Sequence, residues 1–208
     1  MNAARDITRR RRRPVQKRSR ETFDNICWAA SEILTEDGLD ALNTNAVAER
    51  AGVSITAVYA YFPDKFAILH ELFQRSDERW RKAVLPLLET LSDNEDDIAV
   101  IHDVILDSAK IRVEDPEYRA LLAAIWAVPE LADMRRTSLE RSANTLATEI
   151  RRRNPALTPR RSQRAAQTMV LAVAAVIDEC VHAGKVDRPL LDQLSLMVEL
   201  YLRTVLAA

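Results

Sequence analysis

Glycine is scarce in this chain, three residues in 208, and no stretch sustains the two-residue alternation of apolar and polar side chains that marks a half-buried strand. Strands are therefore poorly supported. Cysteine is limited to Cys27 and Cys180, with no CxxC and no paired Cys/His spacing. The two read as small buried hydrophobes in a reducing compartment. His70, His102 and His182 stand apart from cysteines or carboxylates at metal-ligand spacing, and HExxH, a glycine-rich phosphate loop and GxSxG are all missing. An enzymatic reading has nothing to attach to, and neither a metal nor a cofactor is expected. No apolar segment follows the N-terminal arginines, and no run approaches the roughly 18 uninterrupted apolar residues of a membrane span. Neither a secretory signal nor a membrane is expected, and the expected location is cytoplasmic.

What the chain has is helix. It is 48% hydrophobic, enough at this length for a substantial core, and its apolar residues recur at helical spacing, so the fold class is all-α. A net charge of −1 conceals an asymmetry: residues 1–20 hold nine Lys/Arg against one Asp, a charge of +8, leaving −9 on the other 188. This basic arm reads either as a solvated tail or as a device that neutralises phosphates and enters a narrowed minor groove. Its position directly before the next feature favours the second reading, with Arg10, Arg11, Arg12 and Arg13 as its candidate contacts.

That feature is 43–65, NTNAVAERAGVSITAVYAYFPDK. Asn43 suits a helix N-cap, Val47, Ala48 and Ala51 give a narrow apolar stripe, and Gly52 supplies a left-handed stop. Ser54 caps a second short helix in which Val58, Tyr59 and Phe62 are the packing positions, and Pro63 ends it. Two helices of about two turns each around a glycine turn form the helix-turn-helix pattern, which places its second helix in the major groove of DNA. Ahead of it, Phe23, Ile26, Cys27, Ala30, Ile33 and Leu34 mark one face of a first helix closed by Gly38.

Ile26, Ala29-Ala30, Gly38, Val47-Ala48, Ala51-Gly52-Val53-Ser54, Val58-Tyr59, Tyr61-Phe62, Lys65 and Ile68-Leu69 together resemble the N-terminal domain of the tetracycline-repressor (TetR) family of bacterial transcription regulators. The resemblance covers about residues 23–69. It implies an N-terminal three-helix DNA-binding domain (19–65) after a disordered basic arm (1–18), and a helical ligand-binding and dimerisation domain (66–208). It also implies roles for single residues. Asn43 matches the capping position, usually Thr, with Thr44 and Asn45 beside it facing phosphates or nearby bases. Ser54, Ile55, Thr56 and Ala57 match the base-facing turn, Tyr59 and Tyr61 the aromatics that reach the backbone, and Lys65 a phosphate-binding lysine. Thr56 stands where Gly is common and Phe66 where an acid is common. The recognition turn has no Arg, Lys, Gln or Asn for bidentate base contacts, so the arm and DNA shape are expected to carry much of the affinity.

Beyond this, a long helix is expected from Asp64 to about Leu91, with a kink or restart at Pro86. Asp115-Pro116, Pro129 and Thr158-Pro159 mark further helix starts, and Gly184 a stop. The triplet Arg151-Arg152-Arg153 reads as a solvated helix end that complements the helix dipole rather than as a nucleic-acid site. Trp80, Leu88, Ile105, Trp126, Met134, Thr168 and Met169 are candidates for a cavity that takes a small-molecule effector, against ordinary core packing for each. The last two helices are apolar nearly all round, and the polar residues of the final one fall on a stripe through Asp192, Ser195, Glu199 and Arg203. The resemblance implies that they pair with their copies in a homodimer, with Val173, Val176, Ile177, Leu194, Met197 and Tyr201 as candidate interface residues. The function expected is thus a sequence-specific regulator bound to double-stranded DNA, a repressor released from a palindromic operator by an effector. A ligand-independent architectural or activating DNA-binding protein, and a module whose arm binds RNA or membrane, are the rival readings.

Overall fold

The computed structural model describes residues 17–89 and 97–207, and the side chains within them except at 85–89, 97–99 and 129–130. Among the described residues the chain is all-α and contains no strand. The helices are α1 (Lys17–Glu36), α2 (Thr44–Arg50), α3 (Ile55–Tyr61), α4 (Lys65–Glu89), α5 (Asp97–Glu114), α6 (Pro116–Ala127), α7 (Pro129–Arg153), α8 (Pro159–Ala183) and α9 (Arg188–Leu206).

Their starts are chemically explicit. Asn43 Oδ1 accepts from Ala46 N at 3.0 Å, Ser54 Oγ from Ala57 N at 3.2 Å and Asp64 Oδ1 from Ala67 N at 2.9 Å. Thr158 Oγ1 takes Arg161 N at 3.3 Å and Asp187 Oδ1 takes Leu190 N at 3.2 Å. Each satisfies a backbone N–H that the first helical turn leaves without a partner. Pro116, Pro129 and Pro159 open α6, α7 and α8, where a missing N–H costs nothing. Helix α4 continues past Pro86 to Glu89 without a restart, while the acidic 92–96 lie outside the described residues.

Two compact units divide the chain, one comprising Met1–Ser76 and Pro116–Met134, the other Asp77–Asp115 and Arg135–Ala208; of the three boundaries, two fall inside α4 and α7 and one at the α5–α6 junction. In the first, α6 packs on α1, and Ser31 donates to the Glu117 carboxylate across that contact. Its core holds Ile26, Leu34, Leu42, Val58, Phe62 and Tyr118, all essentially sealed from water. Burying a side chain of this size is worth about 1.5–3 kcal/mol, so α6 contributes much of the apolar cover that three short helices lack by themselves.

In the second unit α7 and α8 run antiparallel, pinned by an ion pair from Arg135 to Asp178 near one end and by Gln163 Nε2 donating to Asn144 Oδ1 at 2.8 Å near the other. Helix α5 packs against α8 and α9. Buried Asp77 accepts from Ser138 Oγ at 2.7 Å and has Arg112 and Arg141 at 3.6 and 3.7 Å, while the Arg112 guanidinium sits 5.0 Å over the Trp80 ring. By length and composition α8 is apolar enough to cross a membrane, but one of its faces is covered by neighbouring helices and it carries the ion-paired Asp178.

Helix α9 corrects one expectation. The polar stripe through Asp192, Ser195, Glu199 and Arg203 is solvated only in part: Ser195 and Glu199 are buried, Ser195 Oγ donating to the Leu191 carbonyl at 2.8 Å and Glu199 accepting from Arg203 Nε at 2.8 Å. Leu191, Leu194, Val198, Leu202 and Val205 share that inward face. Leu190, Leu196, Met197, Leu200 and Tyr201 form the outer one.

Candidate nucleic-acid interface

The geometry of 43–65 follows from its own chemistry. Helix α2 ends at Ala51, and Gly52 takes φ +63°, a left-handed turn open to glycine without strain. Val53 N then returns to the Ala48 carbonyl at 3.0 Å. The Ser54 cap fixes where α3 begins, with Val58 and Phe62 anchoring it inward. What remains outward at the start of α3 is small: Ser54 and Thr56 are exposed, Ile55 and Ala57 half-buried.

The two tyrosines differ in environment. Tyr59 is 42% exposed, not packed, and its hydroxyl lies 3.2 Å from that of Thr44, so α2 and α3 present two hydroxyls side by side. Tyr61 is the packed one. Its ring meets Phe23 edge-on at 5.5 Å, and Phe23 stacks on Phe62 at 5.1 Å. Positions 58, 61 and 62 fall on one helical face and 59 does not, a distinction that a seven-residue helix reveals only once its neighbours are placed.

Asn43 has its side chain spent on capping, and Asn45 is exposed beside it. Arg50 is held away from this surface by Glu36 at 2.8 Å and Asp37 at 3.3 Å. Lys65 opens α4 half-buried, its Nζ 5.8 Å over the Phe66 ring. The structure thus gathers Thr44, Asn45, Ser54 to Ala57, Tyr59 and Lys65 on or beside two adjoining short helices, whereas Arg10 to Arg13 lie outside the described residues. The arrangement has no catalytic character. Among the described residues no group of three His, Cys, Asp or Glu is placed to hold a metal ion.

Residues 26–72 match the family described as bacterial regulatory proteins, tetR family. Over that stretch the chain is similar to the tetR family, and among the described residues its fold is all-α. No curated protein sequence matches it. Among solved structures, a tetR-family transcriptional regulator from Pectobacterium atrosepticum is 19% identical with a TM-score of 0.68, covering 94% of this chain and 99% of its own. NalD, the secondary repressor of the MexAB-OprM multidrug efflux pump in Pseudomonas aeruginosa, is 17% identical (TM-score 0.59; 88% and 98% covered). SmeT, solved as a complex with triclosan, is 21% identical (TM-score 0.59; 89% and 90%). At these identities the three share the fold with this chain.

The other candidate residues are dispersed. Of those put forward for a cavity, Ile105, Met134 and Met169 are buried, Trp80 is half-buried, and Trp126 and Thr168 are exposed; the Leu88 side chain is outside the described set. Trp126 and Met134 belong to the first compact unit, the others to the second. Of those put forward for a dimer face, Ile177 and Leu194 are buried within the chain itself, Val173 and Val176 are half-buried, and Met197 and Tyr201 are exposed. Leu171, Leu196 and Leu200, not among those candidates, are about half exposed each. On α9, Leu190, Met197 and Leu200 fall near one helical face, but Leu191, Leu194, Val198, Leu202 and Val205 make the opposite face more apolar still.

Proposed function

We propose that this protein is a tetR-family transcription regulator, a homodimer that reads a palindromic operator by inserting α3 of each copy into successive major grooves. The observation that carries the reading is the capped pair α2–α3, whose outward start offers only small side chains. In this reading Ser54 and Thr56 give single hydrogen bonds to base edges, and Ile55 and Ala57 contact thymine methyls. Thr44, Asn45, Tyr59 and Lys65 hold phosphates, and Arg10 to Arg13 supply affinity from the arm. Tyr61, whose phenol is engaged within the domain, acts by placing α3.

The outer stripe of α9, with Leu196, Met197, Leu200 and Tyr201, joined by Leu171 of α8, supports two-fold pairing: a row of exposed large apolar residues on a helix is unfavourable in water without a partner. A small-molecule effector releases the operator by favouring a dimer whose two α3 helices no longer match successive grooves. SmeT was solved with triclosan, which supports a ligand-taking body in this fold. The protein acts in the cytoplasm, on DNA.

The test is selection of bound sequences from a random duplex pool by the full-length protein at near-physiological salt. A palindromic consensus is expected, with half-sites about 34–36 Å apart or a multiple of that. Enrichment without any consensus would sink the proposal.

A further inference from the structure

The corner joining α7 to α8 carries charge that no other part of the fold uses. Residues 150–177 contain six arginines and no acid. The chain turns back tightly here: Asn154 Oδ1 accepts from Ala156 N at 3.0 Å, its Nδ2 donates to the Leu206 carbonyl at 2.9 Å, and Leu157 is buried. The tight turn sets the last turn of α7 beside the first turns of α8.

Two of the arginines share one carboxylate. Glu149 binds Arg152 at 2.8 Å and Arg153 at 3.1 Å, hydrogen bonds that hold its carboxyl below the usual range. Arg151, Arg160, Arg161 and Arg164 are exposed, and among the described residues no carboxylate is placed against them. Arg151 complements the carbonyl end of α7. Arg160 and Arg161 do the reverse: they occupy the first turn of α8, where the helix already presents its positive end and where acids are the stabilising residues. Helix stability does not explain them, and it disfavours them.

The surroundings narrow the partner. None of the exposed large hydrophobic residues falls between 127 and 170, so this corner has no aromatic or aliphatic anchor for a protein interface and no wedge for a lipid surface. Thr145, Thr148, Pro155, Ala156, Thr158 and Pro159 are among its other exposed residues. A bare guanidinium cluster matches an array of phosphates, which binds through charge and counterion release alone.

We propose that the α7–α8 corner is a second surface for the phosphate backbone of a nucleic-acid duplex, separate from the helix-turn-helix and independent of how that element reads sequence. A dimer presents two such corners, so one protein bound at its operator holds a second duplex.

The experiment captures the full-length protein on an immobilised random-sequence DNA duplex and measures retention of a labelled second duplex, DNA in one arm and RNA in the other. R160Q/R161Q/R164Q is expected to lose about tenfold or more of the retained duplex near 0.1 M salt, since each phosphate contact releases roughly one counterion. R160K/R161K/R164K, which keeps the charge, is expected to retain it. Loss on DNA alone assigns the corner to DNA, and equal loss on both assigns it to duplex phosphates generally. Wild-type retention by the glutamine variant would overturn the proposal, because bridging would then run through the two helix-turn-helix domains. Failure of the lysine variant would overturn it as well.

Discussion

The Tyr61 hydroxyl, at the last position of α3, donates to the main-chain carbonyl of Ser19 at 3.2 Å and lies 2.8 Å from the Ser19 hydroxyl. It ties the end of the recognition helix to the first turn of α1, 42 residues earlier. Tyr61→Phe keeps the ring on Phe23 and removes only this tie, so a loss of about 1 kcal/mol is expected, measured by urea unfolding. If the pair orients α3, DNA affinity falls by more than the stability change alone explains, and Ser19→Ala reproduces part of the loss.

Gly52 offers a test of backbone strain isolated from packing. Its φ is +63°, and a Cβ built there meets nothing within 4 Å. Gly52→Ala should therefore cost about 1–2 kcal/mol, the left-handed penalty of an L-residue, and no more. A larger loss by urea titration would mean that the turn makes contacts which the free space around Gly52 does not suggest.

Asp77 organises the second unit with Ser138, Arg112 and Arg141 around it. Asp77→Ala leaves the buried Arg112 without its carboxylate, and a loss of roughly 3–5 kcal/mol is expected. Asp77→Asn, which still accepts from Ser138, should fall well short of that. Equal losses in thermal unfolding would assign the effect to the carboxylate charge, which both variants remove, and not to side-chain volume or the Ser138 hydrogen bond.

His102 Nε2 stands 2.9 Å from Asp192 Oδ1, joining α5 to α9. That hydrogen bond, helped by a second to Asp103, raises the His102 pKa above its usual value despite some burial. A raised folded pKa means that the imidazolium contributes stability below the unfolded value of about 6.5, and that this contribution disappears as pH rises through the folded pKa. The melting temperature should decline slightly from pH 5.5 to pH 8, and Asp192→Asn should flatten that difference. The pair is at the surface, so the effect is small.

Leu200 stands at the middle of the outer stripe of α9 and is 55% exposed. Met197→Lys with Leu200→Lys should leave the helical circular dichroism of the chain unchanged, since neither side chain supports the internal core. Sedimentation velocity should show a monomer in place of the dimer. A double variant that remains dimeric would move the proposed interface elsewhere.

Helix boundaries were written locally in this protein. Asn43, Ser54, Thr158 and the prolines 116, 129 and 159 act on backbone groups within three residues of themselves, so their effect is readable before any fold is known. The same holds for the helix-turn-helix, whose two caps and one glycine are consecutive in the chain. Partner choice was not local. Tyr61 rather than Tyr59 turns inward because Phe23 and Ser19 lie beside it, and Glu199 is buried because the inner face of α9 is covered within the chain. A helix apolar on two faces does not state which face its own chain will cover. Periodicity therefore determined that α8 and α9 are apolar on more than one face, while only the tertiary structure decided that Ile177 and Leu194 serve the internal core and that Leu171, Leu196 and Leu200 stay exposed.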